Sequence, residues 1–333
     1  MPGSADTTLG GDANPTRSTR PTDNGLDSWL SRRTYRTGSS LADLVAIKDQ
    51  TISLVLPTRD VADSLGPVLD ALGPCREAGL VDEVLIVDAA SSDATGRIAG
   101  QHRVAVHQES TLMPEFGPAL GKGDALWRGL SQTRGEIVVF LDTDTANFSA
   151  RFLLDLVAPL LGDPTLHLVK GAFRRPFRAG DQSTPDGGGR VTELMARPLL
   201  NLHVPDLAGF AQPLAGEVAA RRSLLETLPF PVGYGVEIAI LIDAYRAVGR
   251  DGLAQAELGV RENRHQPLSE LSAMAYQVLV AAQRRIQGPA EIDRLAPGVL
   301  LQPRDGNLEA RTLAVLERPA LRTVRGPAIT RPT

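Results

Sequence analysis

The sequence predicts an α/β protein built on a mostly parallel sheet covered by helices, and three observations carry that prediction. Near-continuous apolar runs of strand length recur through the first half: ISLVLP (52–57), EVLIVD (83–88), VAVH (104–107), EIVVFLD (136–142) and HLVKGAF (167–173). Segments of helical length separate them, which is the βαβα alternation of a parallel sheet. The runs lack strict polar alternation, as expected of strands covered on both faces. In such sheets the ligand site lies beyond the carboxyl ends of the strands.

Residues 1–25 have Leu9 as their only large aliphatic side chain and are expected to form a flexible tail, too polar to offset chain entropy. The pattern LDSWLSRRTY…LADLVAIK (26–48) predicts two short helices before the core. A helix over 64–79 would place Pro67 in its first turn, where proline is tolerated. Ser91, Ser92 and Asp93 are helix-start residues after the second strand. Helix 123–135 is expected to close on Gly135, and a further helix covers 152–161. After residue 177 comes a polar, Gly-rich loop (178–190). Three helix candidates follow, at 191–202, 236–249 and 269–286, with an added strand at 254–260. The chain thus divides into a tail (1–25), an α/β domain (26–177), a smaller region (178–317) and a tail (318–333). That last tail, with Arg318, Arg322, Arg325 and Arg331 and no acidic residue, is expected to be an exposed basic arm.

Composition narrows the class. The 333 residues carry a formal charge of −4, which gives no sign of general nucleic-acid binding. Apolar residues make up 42%, enough for a sizeable core, and 32 glycines with 24 prolines promise many loops. The one cysteine, Cys75, excludes an intrachain disulfide framework and a Cys-rich zinc module. No stretch approaches the roughly 18 apolar residues that span a bilayer. The first 25 residues hold no apolar core of the signal-peptide kind. A cytoplasmic protein with no membrane partner is the expectation.

Asp142-Thr143-Asp144 is the sharpest chemical feature. It follows the strongest strand, so both carboxylates reach the ligand edge. Two acids at that spacing suit a hard cation, Mg²⁺ or Mn²⁺, shared with substrate phosphates. The alternative is a pair of solvated or capping aspartates. Asp88 ends the second strand, where an acid can accept from a ribose or a base; alternatively, Asp88 and Ser91 only cap the next helix. Gly121-Lys122-Gly123 opens a helix, and a lysine there suits anions. Only three of the 35 basic residues are lysine, which makes its placement informative. No GxxxxGK[ST] loop is present, so an ATPase is a weak reading. The glycines at 187–189 with Arg190 and Thr192 can wrap an anionic group, arginine gripping phosphate or carboxylate as a fork. Glu237 sits in the first turn of an apolar helix after Tyr234, either as a partner of the helix dipole or facing a sugar hydroxyl. His265 is a further ligand candidate from RENRHQP (261–267).

With these motifs in place, the chain resembles the glucosyl-3-phosphoglycerate synthases, retaining GT-A glycosyltransferases of glycosyltransferase family 81. The matching text is TISLVLP, GLVDEVLIVDAASSDAT, ALGKGDALWR, GEIVVFLDTD, HLVKGAFRRP, GGGRVTELMARPLL, QPLAGE, PFPVGYGVEI and LGVRENRHQPLSELSAM. The resemblance implies a nucleotide-sugar-binding domain over 26–177 and an acceptor-binding region over 178–317. It also implies transfer of glucose from UDP-glucose to 3-phosphoglycerate with Mg²⁺, and a homodimer. Asp142 and Asp144 match the metal motif, and Lys122 the donor-binding lysine. Pro57 and Ser91, with Thr58 and Thr143 beside them, fall at donor positions. Gly189, Arg190 and Thr192 match the acceptor-phosphate site, and Tyr234 and Glu237 lie near the transferred sugar and acceptor.

Departures from the family pattern are specific. An acidic pair expected after the first strand is replaced by Val61 and Ala62 in PTRDVAD, next to Arg59, which leaves guanine as an alternative base to uracil. The late motif REHRNRP is here RENRHQP. Asn263 therefore takes the position of the metal-binding His, and His265 the position of the acceptor-binding Asn, with His265 as the alternative third metal ligand. These changes favour, slightly, a paralogue that transfers a sugar to a thiol or alcohol in lincosamide-type antibiotic assembly, over the 3-phosphoglycerate enzyme itself. A nucleotidyltransferase and a non-catalytic nucleotide-sugar sensor are the remaining alternatives.

Overall fold

The computed structural model describes residues 25–36, 38–179, 182–184, 187–262, 266–295, 298–304 and 306–325. The expected N-terminal tail, Asn263 and His265, and the end of the chain from 326 lie outside the described residues. The five expected core strands form as β2 (Ile52–Thr58), β3 (Glu83–Asp88), β4 (Ala105–Gln108), β5 (Ile137–Phe140) and β6 (Leu168–Arg174), with a short β1 (Thr34–Tyr35) before them. Two later strands, Val218–Arg221 and Leu253–Val260, complete one eight-stranded sheet. Its order is β1, Leu253–Val260, β6, Val218–Arg221, β5, β2, β3, β4. Every pairing is parallel except those of Val218–Arg221, which runs antiparallel to both β5 and β6. This is the GT-A arrangement of a mostly parallel sheet. The sheet draws strands from both sides of the sequence division at 177/178.

Helices α1 (Leu26–Arg33) and α2 (Leu41–Ile47) lead into the sheet; α3 (Ala62–Glu77), α4 (Thr95–Gln101), α5 (Lys122–Gln132) and α6 (Ala150–Gly162) connect its strands. Strand alternation sorts the apolar residues onto two faces. Val55, Val87, Val138 and Phe140 pack on one side with Leu126, Trp127 and Leu130 of α5. Leu54, Leu56, Ile86 and Val139 pack on the other with Leu65 and Leu72 of α3 and Leu153 and Val157 of α6. Continuous apolar text in the strands is therefore the signature of two cores separated by one sheet.

Several boundaries differ from the sequence reading, each for a local reason. Helix α3 begins at Ala62, so Pro67 falls in its second turn. The earlier start is capped from the neighbouring loop: Ala62 N–H donates to Asp93 (2.9 Å) and Val61 N–H to Thr95 (3.1 Å). Helix α5 ends at Gln132 on an extended Thr133, not on Gly135. Gly135 is needed for a close approach instead, since a Cβ there would lie 2.5 Å from Ser53 Oγ. The loop at 178–190 contains a hairpin of Phe177–Ala179 and Gln182–Thr184. Helices Val236–Val248 and Leu268–Gln287 form as expected. Among the described residues, no helix is long and apolar enough to cross a membrane.

The largest correction concerns the basic C-terminal arm. Glu317–Arg318 is a strand paired with Phe230–Pro231, and Arg318 is buried. Its Nη2 lies 2.6 Å from Asp124 Oδ2 and its Nε 2.9 Å from Asp124 Oδ1, while Trp127 Nε1 donates to Pro319 O at 2.8 Å. The Arg318 charge is spent on an acid inside α5 and is not offered to solvent. Helix Leu321–Arg325 then closes the described chain, with Leu321 buried.

Two outcomes follow from this corner. Arg318→Ala leaves the fully buried Asp124 with Arg128, 2.9 Å away, as its one remaining guanidinium, and is expected to cost about 1–3 kcal/mol in denaturant unfolding. Glu109 lies beside Asp124 and Arg128, with its Oε1 buried and unpartnered. Burial, then the Asp124 charge, push its carboxyl up from 4.5 to about 7. A raised folded pKa means that the Glu109 contribution is complete below pH ~4.5 and fades as pH rises through ~7. Glu109→Gln is therefore expected to stabilise the protein at pH 8 by up to about 3 kcal/mol and to gain less at pH 5, measured by urea unfolding at both pH values.

Candidate active site

The site forms where β5, β6 and Leu253–Val260 end. Strand β5 stops at Phe140, so Asp142 and Asp144 lie on the loop just beyond it. Lys122 is the first residue of α5, and its N-cap Gly121 adopts φ 119°, a conformation that favours glycine. Glu237 is in the first turn of Val236–Val248 and is buried. These three side chains meet: Lys122 Nζ lies 2.6 Å from Asp142 Oδ1 and 2.8 Å from Glu237 Oε1. Burial opposes the ammonium charge, but the two carboxylates outweigh it, and Lys122 titrates above its ordinary value. Burial likewise pushes Asp142 up, while Lys122 and Arg261 more than offset it and hold the carboxyl below the usual range.

Arg261, directly after strand Leu253–Val260, joins the two aspartates. Its Nη2 lies 3.0 Å from Asp142 Oδ2 and 3.0 Å from Asp144 Oδ1. Its Nε donates to Thr145 Oγ1 at 3.0 Å and stands 2.9 Å from Glu217 Oε1, an ion contact without hydrogen-bond alignment. Burial raises the Glu217 pKa in spite of Arg261. Beneath them, Lys170 of β6 is buried, donates to Ala215 O at 2.8 Å, and is pulled down to about 8 by burial.

The geometry fits a divalent cation. Asp142 and Asp144 offer hard oxygens that converge on one point, and a positive nitrogen already stands there. Two carboxylates with substrate phosphates are the usual protein share of a Mg²⁺ site. No cluster of three or more His, Cys, Asp or Glu ligands adds to them among the described residues, and the third-ligand candidates Asn263 and His265 fall outside these.

The remaining sequence candidates sort into two groups. Thr143 is buried and donates to Pro57 O at 3.0 Å, which ties the Asp142–Asp144 loop to the end of β2. Asp88 turns inward: it accepts from Thr58 Oγ1 (3.0 Å), Ser91 N (3.0 Å), Ser91 Oγ (2.5 Å) and Gln108 Nε2 (2.9 Å). Four donors fill the acceptor capacity of a carboxylate. Helix α4 begins at Thr95 without a side-chain cap, so Asp88 and Ser91 do not cap it; Asp88 instead ties Thr58, Ser91 and Gln108 together with its acceptor positions filled. On the other side, Gly189 adopts φ 70°, its carbonyl accepts from Glu193 N, and Arg190 Nη2 donates to Gln266 O at 2.9 Å. Thr192 is buried. Tyr234 is 43% exposed, and its backbone N–H donates to Gln277 Oε1 at 3.3 Å. Sequence reasoning did not nominate Arg261, Glu217 or Lys170. Lys170 carried a signal, one of only three lysines set inside an apolar strand.

A parallel sheet, an acidic pair after a central strand and a lysine at a helix N-terminus facing it define a GT-A glycosyltransferase. Residues 53–214 match the glycosyl transferase family 2 model. A glucosyl-3-phosphoglycerate synthase of Mycolicibacterium paratuberculosis is 42% identical over 316 residues, 93% of this chain and 94% of that protein. The Mycobacterium tuberculosis glucosyl-3-phosphoglycerate synthase, solved with Mn²⁺, UDP-glucose and phosphoglyceric acid, superposes with TM-score 0.78 at 39% identity, covering 88% of this chain and 99% of that one. A mannosyl-3-phosphoglycerate synthase of Rubrobacter xylanophilus gives TM-score 0.82 at 40% identity over 90% and 99%. The chain belongs to the glucosyl-3-phosphoglycerate synthase family. These relatives are named as phosphoglycerate synthases; the antibiotic-assembly paralogue that the sequence slightly favours has no support among them, and its stated alternative is the better-backed reading.

Gly216 supplies a test of the geometry. A Cβ at this position would strike Asp142 Oδ2 and lie 2.6 Å from Lys122 Nζ, atoms that can yield only by parting the ion pair. Gly216→Ala is expected to lower kcat on the order of 10²-fold and also to lower the melting temperature, measured by steady-state kinetics beside a melting curve.

Proposed function

We propose that the chain transfers glucose from UDP-glucose to 3-phosphoglycerate with retention of configuration. The observation that carries this reading is the Lys122–Asp142–Glu237 cluster, with Asp144 joined through Arg261, in a chain that aligns with nearly the whole of a glucosyl-3-phosphoglycerate synthase. Asp142 and Asp144 would hold Mg²⁺ or Mn²⁺, which supplies charge neutralisation for the departing diphosphate. Lys122 adds a fixed positive charge at the same place, kept protonated by its two carboxylate partners. Gly189, Arg190 and Thr192 orient the acceptor through its phosphate, backbone N–H groups and a guanidinium being suited to that anion. Glu237 and Tyr234 line the space between donor and acceptor. Attack by the acceptor hydroxyl on the face that the diphosphate leaves, its proton passing to the departing diphosphate oxygen as the bond from that oxygen to the anomeric carbon breaks, accounts for retention without an enzyme nucleophile.

A second donor reading has its own observation. Val61 and Ala62 replace the acidic pair at the base-contact loop, and their N–H groups are already bound by Thr95 and Asp93. Without that acid, a guanine nucleotide carrying mannose is the competing donor, in line with the mannosyl relative.

The test is nucleoside diphosphate release with 3-phosphoglycerate and Mn²⁺, using UDP-glucose and GDP-mannose in parallel. UDP release is expected, and Asp144→Ala is expected to lower kcat by on the order of 10²-fold or more. GDP release alone moves the donor to the second reading. Release of inorganic pyrophosphate from a nucleoside triphosphate, or donor binding without any turnover, rejects sugar transfer altogether.

A further inference from the structure

Arg175 is a charged side chain at the site to which the sequence reading gave no role. It follows the end of β6 at Arg174, on the ligand edge of the sheet. Its carbonyl accepts the Gly188 N–H at 2.9 Å, so the strand end and the Gly187–Arg190 loop lie side by side. A Cβ at Gly188 would press within 2.8 Å of Arg175 Cβ, and one at Gly189 would lie 3.7 Å from Arg175 Cδ. The side chain therefore runs along the glycine loop that the acceptor phosphate is assigned to. The charges of Arg261, Glu217, Asp144 and Asp142 act on it as well. Burial and then Arg261 pull its pKa below the ordinary 12.5.

Among the described residues the Arg175 guanidinium makes no hydrogen bond and no ion pair. Other half-buried or buried arginines here are engaged: Arg221 on backbone carbonyls, Arg285 on Asp243 and Glu317, and Arg318 on Asp124. A partly desolvated guanidinium with no hydrogen bond among the described residues, and with the Arg261 charge acting on it, is suited to take up an anion.

We propose that Arg175 is the carboxylate clamp of the acceptor site. The inference rests on the phosphoglycerate reading above. 3-Phosphoglycerate carries an anion at each end and its one hydroxyl on the carbon between them. With the phosphate in the Gly189–Thr192 loop and the carboxylate on Arg175, that hydroxyl is fixed from both sides. Glycerol 3-phosphate has the same phosphate and a neutral CH₂OH in place of the carboxylate, so Arg175 discriminates between the two.

The test is calorimetric titration of the protein loaded with Mn²⁺ and UDP, using 3-phosphoglycerate and glycerol 3-phosphate as separate probes. Arg175→Gln is expected to weaken 3-phosphoglycerate by about 10–100-fold and to leave glycerol 3-phosphate and UDP unchanged. Arg175→Lys keeps the charge without the fork and is expected to fall between. In turnover, KM for 3-phosphoglycerate rises while KM for the sugar nucleotide stays. The melting temperature is expected to hold, since no hydrogen bond or ion pair among the described residues is lost. Equal weakening of both acceptors, weakening of UDP, or wild-type affinity in Arg175→Gln each overturns the assignment. A wild-type protein that binds UDP and neither acceptor overturns the phosphoglycerate reading, and the clamp with it.

Discussion

The structure of the site depends on keeping four carboxylates close together at one sheet edge. Asp142, Asp144, Glu217 and Glu237 repel one another, and burial of Glu217 and Glu237 raises the penalty. Lys122 and Arg261 make the cluster tenable, each bridging two or more acids. The consequence is chemical as well as structural. Carboxylates and fixed cations gathered in advance at one place are already arranged for the charge that a diphosphate leaving group brings, so little reorganisation is required during the reaction.

This charge balance requires that α5 does not shift, since Lys122 is its first residue. The helix start is fixed by contacts remote from the chemistry. Asp124 N–H donates to Val232 O at 3.0 Å, and Gly123 lies so close to Pro231 O that no side chain fits. Residues 231–232 lead directly into the turn before Glu237, so one backbone contact sets both partners of the Lys122–Glu237 pair. The strand Glu317–Arg318 lies against Phe230–Pro231 and clamps Asp124 from the other side. The end of the described chain is thus part of the scaffold of the site.

Local sequence rules made much of this legible. The strands of the parallel sheet, helix Val236–Val248, Lys122 at a helix start and the acids at 142 and 144 follow from apolar runs, Gly punctuation and position after a strand. Asp88 was ambiguous because a carboxylate after a strand suits either a ribose or a cap; its four donors come from Thr58, Ser91 and Gln108, loop and strand partners that no local rule reports. Arg318 was misread because a run of arginines without acids looks solvated in one dimension. Its partner Asp124 is 194 residues away, and no periodicity reports such a pair.

The same limit explains why Glu217, Arg261 and Arg175 escaped notice, and here topology supplies the reason. Strands β5, β6 and Leu253–Val260 are parallel, so their ends deliver Asp142, Arg175 and Arg261 to one edge. Val218–Arg221 runs antiparallel between β5 and β6, with Val218 opposite Phe140 and Lys170. An antiparallel strand begins at the edge where its parallel neighbours end. The residues just before it, Ala215-Gly216-Glu217, therefore arrive among theirs. A four-residue strand of the sequence VAAR is too short for its text to announce it, yet its direction is what places Gly216 against Asp142 and seats the Ala215 carbonyl on the buried Lys170 amine. One reversed strand in a parallel sheet thus converts three separate strand ends into a single charged cleft.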